Sequence, residues 1–489
     1  MENKNILMAR QIAAAVAQAG GRAYYVGGFV RDRLLGIDTK DVDIEIHGVP
    51  APALEAVLDR LGTRTQMGAS FGIYGLRHYD IDIALPRKEH LSGRGHRDFA
   101  VFTDPFLGPE KAAMRRDFTV NALMEDVLTG EILDFFQGRE DLEKGILRHV
   151  SSQSFPEDPL RVLRGAQFAA RFGFSVAPET ASLCKAMDLA ALSGERVMAE
   201  LEKALLKAPR PSVFFETLRQ MEQLGVWFPE VQALIGVPQE PRFHPEGDVW
   251  NHTVLVLDQA AALRAQAEHP RELMFAALCH DFGKPDTTRR DGTGRIRSFG
   301  HEEAGLAPAE AFLARISREK QLRCYVLNMV KLHMRPNMLA AQHSGQKSCN
   351  RLFDESLCPE DLLLLAKADA TGKTGFPDYA PTESYLRTAL AAYRALLAQP
   401  YVQGADLVAA GFAPGKDFAP ALALAHRLRL AGVPKQEALA QTAAFLRKGR
   451  KKEASPPGGA PKSFPSGGAG SALAETEEGH NGRERLKRR

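Results

Sequence analysis

Two aspartates one residue apart in an apolar stretch, Asp41 and Asp43 in T-K-D-V-D-I-E-I, are where the chain first offers chemistry. A β-strand repeats every two residues, so both carboxylates face one side, and Glu45 continues the row. A second alternating stretch, H-Y-D-I-D-I-A, puts Asp80 and Asp82 on one face in the same way. Like charges on neighbouring strands repel, and a divalent cation between them removes that penalty. Mg2+ suits the role, because it takes hard oxygen ligands and keeps positions for phosphates. Alone, a D-x-D is a weak signal, and a solvated sheet face is the commoner reading. The segment upstream, V-G-G-F-V-R-D-R-L-L-G, adds a second element: Gly27 and Gly28 sit between a strand and a helix, with Arg31 and Asp32 in the first turn. Such glycines let backbone N–H groups approach an anion, although a ligand-free tight turn uses them too. A phosphate seat facing a carboxylate cluster is what two-metal phosphoryl or nucleotidyl transfer requires. No G-x-x-x-x-G-K-[ST] occurs, and G-x-G-x-x-G is missing from the strand-to-helix turn, which excludes a P-loop and a dinucleotide fold.

Two more groups of residues could do chemistry. In E-D-P-L-R-V-L-R, Asp158 stands at the start of a helix and Pro159 suits its first turn, with Arg161, Arg164, Phe168 and Arg171 recurring at helical spacing. The plain reading is a cap and a surface cation. Further on come His252, the adjacent pair His280-Asp281, His301, His333 and Asp369. A single histidine is more often structural or exposed than a ligand. An adjacent His-Asp pair is hard to place in a helical core without a metal or hydrogen-bonding partners. Mixed imidazole and carboxylate ligands admit Ni2+, Mn2+, Co2+ or Mg2+.

Positioning these groups takes several elements. Helical patterns over 6–19 and 51–61, strands at 23–26 and 41–46, a helix opening near Phe29 and paired strands in 71–85 predict an α+β head with a small mixed sheet. From 157 to about 445 helical spacing dominates, broken by prolines. The expected division is a head at 1–140, helical neck at 141–240, third domain at 241–375, helical tail at 376–447 and disordered tail at 448–489. The stretch 88–104, rich in glycine and charge, reads as a mobile loop. The 489 residues are too many for one core. A net charge of +3, from 63 basic against 60 acidic residues, permits an RNA partner without arguing for one. Five scattered cysteines exclude a disulfide scaffold. With no signal-like N-terminus and no run of eighteen apolar residues, a cytoplasmic protein without membrane contact is expected.

G-G-x-V-R-D-x-L-L-G followed by K-D-x-D resembles the head signature of the bacterial CCA-adding enzyme and poly(A) polymerase family of nucleotidyltransferases. R-R-D-F-T-V-N-A-L resembles that family's next motif, which implies that Arg116, Asp117 and Asn121 meet the ribose and triphosphate of the incoming nucleotide. The family's third metal carboxylate lies five residues before an arginine; here Asp82 precedes Arg87, so the resemblance selects Asp82 over Asp80. E-D-x-x-R is similar to the family's protein-template motif, and implies that Asp158 and Arg161, with Arg164 nearby, read the edge of the incoming ATP or CTP base. Aspartate can accept from the exocyclic amine of C or A, and arginine can donate to a ring acceptor. The order H…HD…H…H…D resembles an HD phosphohydrolase domain. It implies His252, His280, Asp281 and Asp369 as the core metal set, with His301 and His333 at a second metal or substrate phosphate. One bacterial branch of the family carries such a domain, with phosphatase, 2'-nucleotidase and 2',3'-cyclic phosphodiesterase activities. The G-A-D-L…G-F-A-P-G segment at 404–415 looks like a tail signature, where an acceptor-stem surface is expected. The implied partner is the 3' end and acceptor stem of tRNA, not DNA. The full CCA product is favoured over CC, A or poly(A). A phosphohydrolase with a head reduced to RNA binding is disfavoured, because the head and template carboxylates and Arg161 are all present.

Overall fold

The computed structural model describes residues 3–39, 41–66, 72–91, 99–373, 375 and 378–453. The head is built on a seven-stranded sheet in the order β3-β4-β5-β2-β1-β8-β9. Its strands are β1 (Arg22–Val26), β2 (Val42–His47), β3 (Arg64–Gln66), β4 (Ile73–Leu76), β5 (Ile81–Ala84), β8 (Met124–Asp126) and β9 (Ile132–Leu133). β2 and β5 run parallel; the other pairs are antiparallel. Helices α1 (Lys4–Gln18) and α3 (Ala51–Leu61) cover one face, presenting Met8, Ile12 and Val16, and Leu54, Val57 and Leu58. On β2 the residues turned into the core are Val42, Ile44 and Ile46. Each such burial contributes on the order of 1.5–3 kcal/mol. A slip of one residue would drive Asp43 and Glu45 into the core instead, so hydrophobic patterning fixes which face carries the carboxylates.

Two expectations are corrected by the backbone. Within 88–104 the chain is not simply a loop, since β6 (Arg87–Leu91) and β7 (Phe99–Thr103) pair antiparallel as a hairpin. The sequence F-A-V-F-T carries the β-branched and aromatic residues that favour strands. Residues 92–98 lie outside the described residues. At the other end, the helix Lys435–Glu453 continues past residue 448, because L-R-K-G-R-K-K-E is composed largely of good helix formers. The rest of the tail, from 454, lies outside the described residues.

Beyond the head the chain is helical. Helix α2 (Gly28–Leu34) follows β1, and the neck is carried by α4 (Leu160–Phe172) and α5 (Gly194–Lys207). The third region packs α6 (Val249–Leu263) against α7 (Pro270–Cys279) and α9 (Pro359–Thr371), with α8 (Lys320–Leu332) beside α7. Contacts divide the chain after Gln399, and the helix Ala380–Ala398 belongs with the first unit. The second unit has its own small core around Leu407, Phe412, Ala421 and Ala438. Among the described residues no helix is long and apolar enough to cross a membrane.

Candidate functional site

Parallel pairing of β2 with β5 sets Asp43 in register with Asp82. Asp80 precedes the strand, and Asp41 stands one residue before β2. Burial, together with the charges of Asp82 and Asp41, pushes the Asp43 carboxyl above its ordinary value, while Arg116 pulls it down. That strain between like charges, and an all-oxygen donor set, fit a hard divalent cation such as Mg2+. Among the described residues, no three metal-ligand atoms in the head lie within 4.8 Å of one another. The carboxylates flank an open face rather than a closed cage. Glu45, next in the row, is committed elsewhere: it contacts His47 at 2.8 Å and Arg116 at 3.8 Å. Burial opposes its ionisation, but His47 and Arg116 hold it below the usual carboxylate range.

Gly27 turns the chain from β1 into α2 with φ +66°, in the left-handed region that favours glycine. A Cβ there would lie 2.7 Å from Nη1 of Arg116, so the turn is also the place where that guanidinium approaches the backbone. From α2, Arg31 donates to Asn121 Oδ1 at 2.6 Å, and Asn121 Nδ2 donates to Asp117 Oδ1 at 2.9 Å. Asp117 Oδ2 accepts from Nε of Arg164, on α4, at 2.7 Å. Asp117 is buried, which opposes its charge, yet Arg164, Asn121 and the Phe118 N–H hold its carboxyl below the usual range. This chain of bonds wires the head to the neck. Arg31 is also buried, with its guanidinium over Phe172 at 4.5 Å and Phe168 at 5.1 Å.

At the start of α4, Asp158 accepts from Nη2 of Arg196 at 3.0 and 2.9 Å and from the Leu160 N–H at 3.1 Å. Arg161 donates to the carbonyls of Ser154 at 2.7 Å and Arg115 at 2.8 Å. Carbonyl partners fix where that guanidinium sits. A cleft of about 400 Å³ is lined by Gly27, Gly28, Arg31, Asp43, Arg116, Asp117, Asn121, Asp158, Arg161 and Arg164, with Phe168. Residues from three separate sequence motifs therefore meet in one cavity. Asp41 and Asp82 lie beside it, joined through their electrostatic effect on Asp43. Arg196, whose role the sequence did not reveal, reaches Asp158 from α5 across 38 residues of chain.

The second cluster forms where helix ends converge. His252 lies within α6 and Asp369 within α9, while His280 ends α7, His301 opens the short helix His301–Ala304 and His333 ends α8. All six ligand candidates are buried. Nδ1 of His280, His301 and His333 each meets a backbone carbonyl three residues back, at 2.8, 2.8 and 2.6 Å. With Nδ1 donating, the Nε2 lone pairs point inward. Nε2 of His301 and His333 then face each other at 3.2 Å, and Nε2 of His280 faces Asp281 Oδ2 at 3.1 Å. Lone pairs confronting lone pairs and a carboxylate in a buried space describe a cation site. His252 Nε2 meets Asp369 Oδ1 at 3.0 Å, and its Nδ1 meets Glu246 at 3.0 Å. The donor atoms fall into two sets, His252-His280-Asp369 and Asp281-His301-His333. The division differs from the expected one in moving Asp281 toward His301 and His333, and the side chain in fact touches both: Oδ1 lies 3.4 Å from His301, Oδ2 3.8 Å from His252.

Burial resists charge on Asp281 and Asp369, but the neighbouring histidines and lysines hold both carboxyls well below the ordinary range, and Asp281 in turn raises His280 against its burial. His333 is pushed down to about 3 by burial and by His280 and His301. A neutral imidazole is the form that ligates a metal. Lys284 contributes a fixed positive charge, 2.7 Å from Asp281 Oδ2. Gly283 is explained by packing: a Cβ there would lie 2.1 Å from the His301 carbonyl, so only glycine lets His301 reach Asp281. Glu246 is the ligand-supporting residue that the sequence left unmarked. It bridges His244 and His252, which hold its carboxyl down to about 2 against burial.

Comparison with known proteins matches three stretches of the chain. A model described as the Poly A polymerase head domain matches residues 23–148, one described as a probable RNA and SrmB-binding site of polymerase A matches 173–235, and the HD domain matches 249–372. The multifunctional CCA protein of Actinobacillus pleuropneumoniae serotype 5b is 38% identical over 366 residues, covering 72% of this chain and 86% of its own. That of Thioalkalivibrio sulfidiphilus is 39% identical over 397 residues, covering 78% and 92%. The fold is shared with the solved CCA-adding enzyme of Thermotoga maritima in complex with tRNA (TM-score 0.60, 21% identity, 91% and 96% covered). It is shared also with that of Bacillus stearothermophilus in complex with CTP (TM-score 0.61, 22% identity, 92% and 100% covered). The chain belongs to the bacterial CCA-adding enzyme and poly(A) polymerase family, in the branch that carries an HD domain.

Proposed function

We propose that this enzyme adds CCA to the 3' end of tRNA from CTP and ATP without a nucleic-acid template. The observation that carries the reading is the single cleft in which Asp43 and the Gly27-Gly28 turn of the head meet Asp158 and Arg161 of the neck. Asp41, Asp43 and Asp82 would hold Mg2+, which when bound activates the attacking 3' hydroxyl and steadies the leaving pyrophosphate. Arg116 and the Gly27-Gly28 turn receive the triphosphate, and Asn121, held between Arg31 and Asp117, orients the ribose. Asp158 accepts from the base amine and Arg161 donates to the ring. U and G lack that amine at the matching position and present a carbonyl oxygen there, which the Asp158 carboxylate repels. The work is divided among a head at 1–140, a neck at 141–240, an HD domain at 241–375 and a tRNA-binding helical tail at 376–447.

The HD domain is proposed to hydrolyse 2',3'-cyclic, 2'- or terminal phosphates, with the buried histidines and Asp281 holding Ni2+, Mn2+, Co2+ or Mg2+. Water adds across one P–O bond, and the released ribose oxygen takes the proton. Incubating the protein with tRNA lacking its 3' end and each NTP in turn, then sequencing the product, tests the head. CC followed by A is expected; CC alone, A alone or long A tracts would assign another product. Asp281→Ala is expected to abolish hydrolysis of 2',3'-cyclic AMP while CCA addition continues, since the two sites share no residue. Wild type inactive on 2',3'-cyclic AMP, 2'-AMP and a 3'-phosphate with all four metals would reject the hydrolytic role.

A further inference from the structure

The cavity of about 730 Å³ at the HD histidines is lined by Asp281, His301 and Asp369 and also by Phe243 and Phe299. The two aromatic rings stand in solvent, Phe243 at 61% and Phe299 at 77% exposure. Each has a guanidinium over it, Arg242 at 5.5 Å and Arg297 at 5.4 Å. Phenylalanine exposed to this degree gains nothing for the fold, whereas a ring beside a cation suits a stacked nucleobase.

Phe299 follows a short hairpin whose strands are Arg289–Arg290 and Ile296–Arg297. From 289 to 299 the chain has four arginines against one aspartate, in a protein almost neutral overall. The register sets Arg289 directly opposite Arg297, an unfavourable like-charge pair. The turn survives that repulsion because Asp291 accepts from the Thr293 N–H at 2.9 Å, Thr293 Oγ1 at 2.6 Å, the Arg295 N–H at 3.1 Å and Arg297 Nε at 2.8 Å. Glu240 Oε2 accepts from the Ile296 N–H at 3.1 Å, fastening the hairpin to the segment that carries Phe243. Repulsion of this kind is relieved by a polyanion. A mononucleotide brings one base and one phosphate ester, too little to use two rings and a row of arginines.

We infer that the HD site takes the end of an RNA strand in preference to a free mononucleotide. Phe243 and Phe299 stack its terminal bases, and the Arg289–Arg297 hairpin grips the backbone phosphates. The inference rests on the hydrolytic reading of this domain. Its test compares 2',3'-cyclic AMP with a short single-stranded oligoribonucleotide ending in a 2',3'-cyclic phosphate, using the full chain. Wild type should prefer the oligonucleotide by ~10-fold or more in kcat/KM, and R289E/R290E should erase most of that ratio. F299A should raise KM for the oligonucleotide by ~10-fold with little change in kcat, as loss of one stacked base predicts. Equal kcat/KM for the two substrates in wild type, or a ratio unmoved by R289E/R290E, would overturn the inference. A second readout needs no hydrolysis: the same oligonucleotide with 4-thiouridine at its 3' end, irradiated in EDTA and mapped by mass spectrometry. Crosslinks to the peptides holding Phe243 or Phe299 support the RNA platform even if the domain proves inactive. Crosslinks confined to the head cleft, leaving the rings to a protein partner, would overturn it.

Discussion

Asp43 shows at the scale of one residue how chemistry and stability oppose each other. Its carboxylate is half-buried, in register with Asp82 and near Asp41, and its affinity for a proton is raised by burial and by those two charges. A folded-state value raised above the unfolded one favours the protonated form, so ionisation as pH rises through that range costs stability until a cation binds. Asp43→Asn removes the charge and keeps the shape. The expected result in EDTA at neutral pH is a melting temperature unchanged or raised by ~1–3 °C. Nucleotide addition in Mg2+ should fall by ~100-fold or more, since the ligand that faces the cleft is gone. A variant that melts lower and still adds nucleotides would remove Asp43 from the metal site. A carboxylate on one face of an alternating strand also suits plain solvent, so the residue became legible in sequence only beside the Gly27-Gly28 turn and through the family resemblance.

Elements decide which of these residues meet, and here the sequence was legible only in part. Strand periodicity showed that Asp41 and Asp43 share a side, but not that parallel pairing would place Asp82 in register with Asp43; only family resemblance singled out Asp82. The glycine turn before α2 and the start of α4 were readable because turns and caps use few residue types. Arg196 was not readable: α5 has ordinary helix composition, and its contact with Asp158 comes from helix packing alone. Glu246 was hidden for a similar reason, lying in an irregular segment before α6 where an acidic residue needs no explanation. The HD histidines could be listed in order, yet only the structure shows that most sit at helix ends with Nδ1 tied to the preceding turn. Gly283 belongs to this scale, because it sets how closely the His301 helix approaches. Gly283→Ala is expected to displace His301 and weaken metal retention by ~10- to 100-fold, the range seen when ligand orientation is disturbed. Elemental analysis after dialysis against a weak chelator checks it, and equal metal content in variant and wild type would contradict the packing argument.

For the molecule as a whole, the first 399 residues carry two groups of candidate donors: carboxylates on a sheet, and imidazoles with carboxylates in a helical core. In the proposed function the interface of head and neck is one site, in which transfer and base choice fall to different side chains. That claim predicts that the two can be separated by mutation. Arg161 is held by the carbonyls of Ser154 and Arg115, away from the strands that carry Asp43 and Asp82, so its loss should spare the transfer chemistry. The most direct measurement is the incorporation of each of the four NTPs onto tRNA lacking its 3' end, by wild type and Arg161→Ala side by side. UTP and GTP incorporation, relative to CTP and ATP, should rise by ~10-fold or more in the variant, because a donor that the correct base edge accepts from is gone. A uniform fall in all four rates with selectivity unchanged would contradict it.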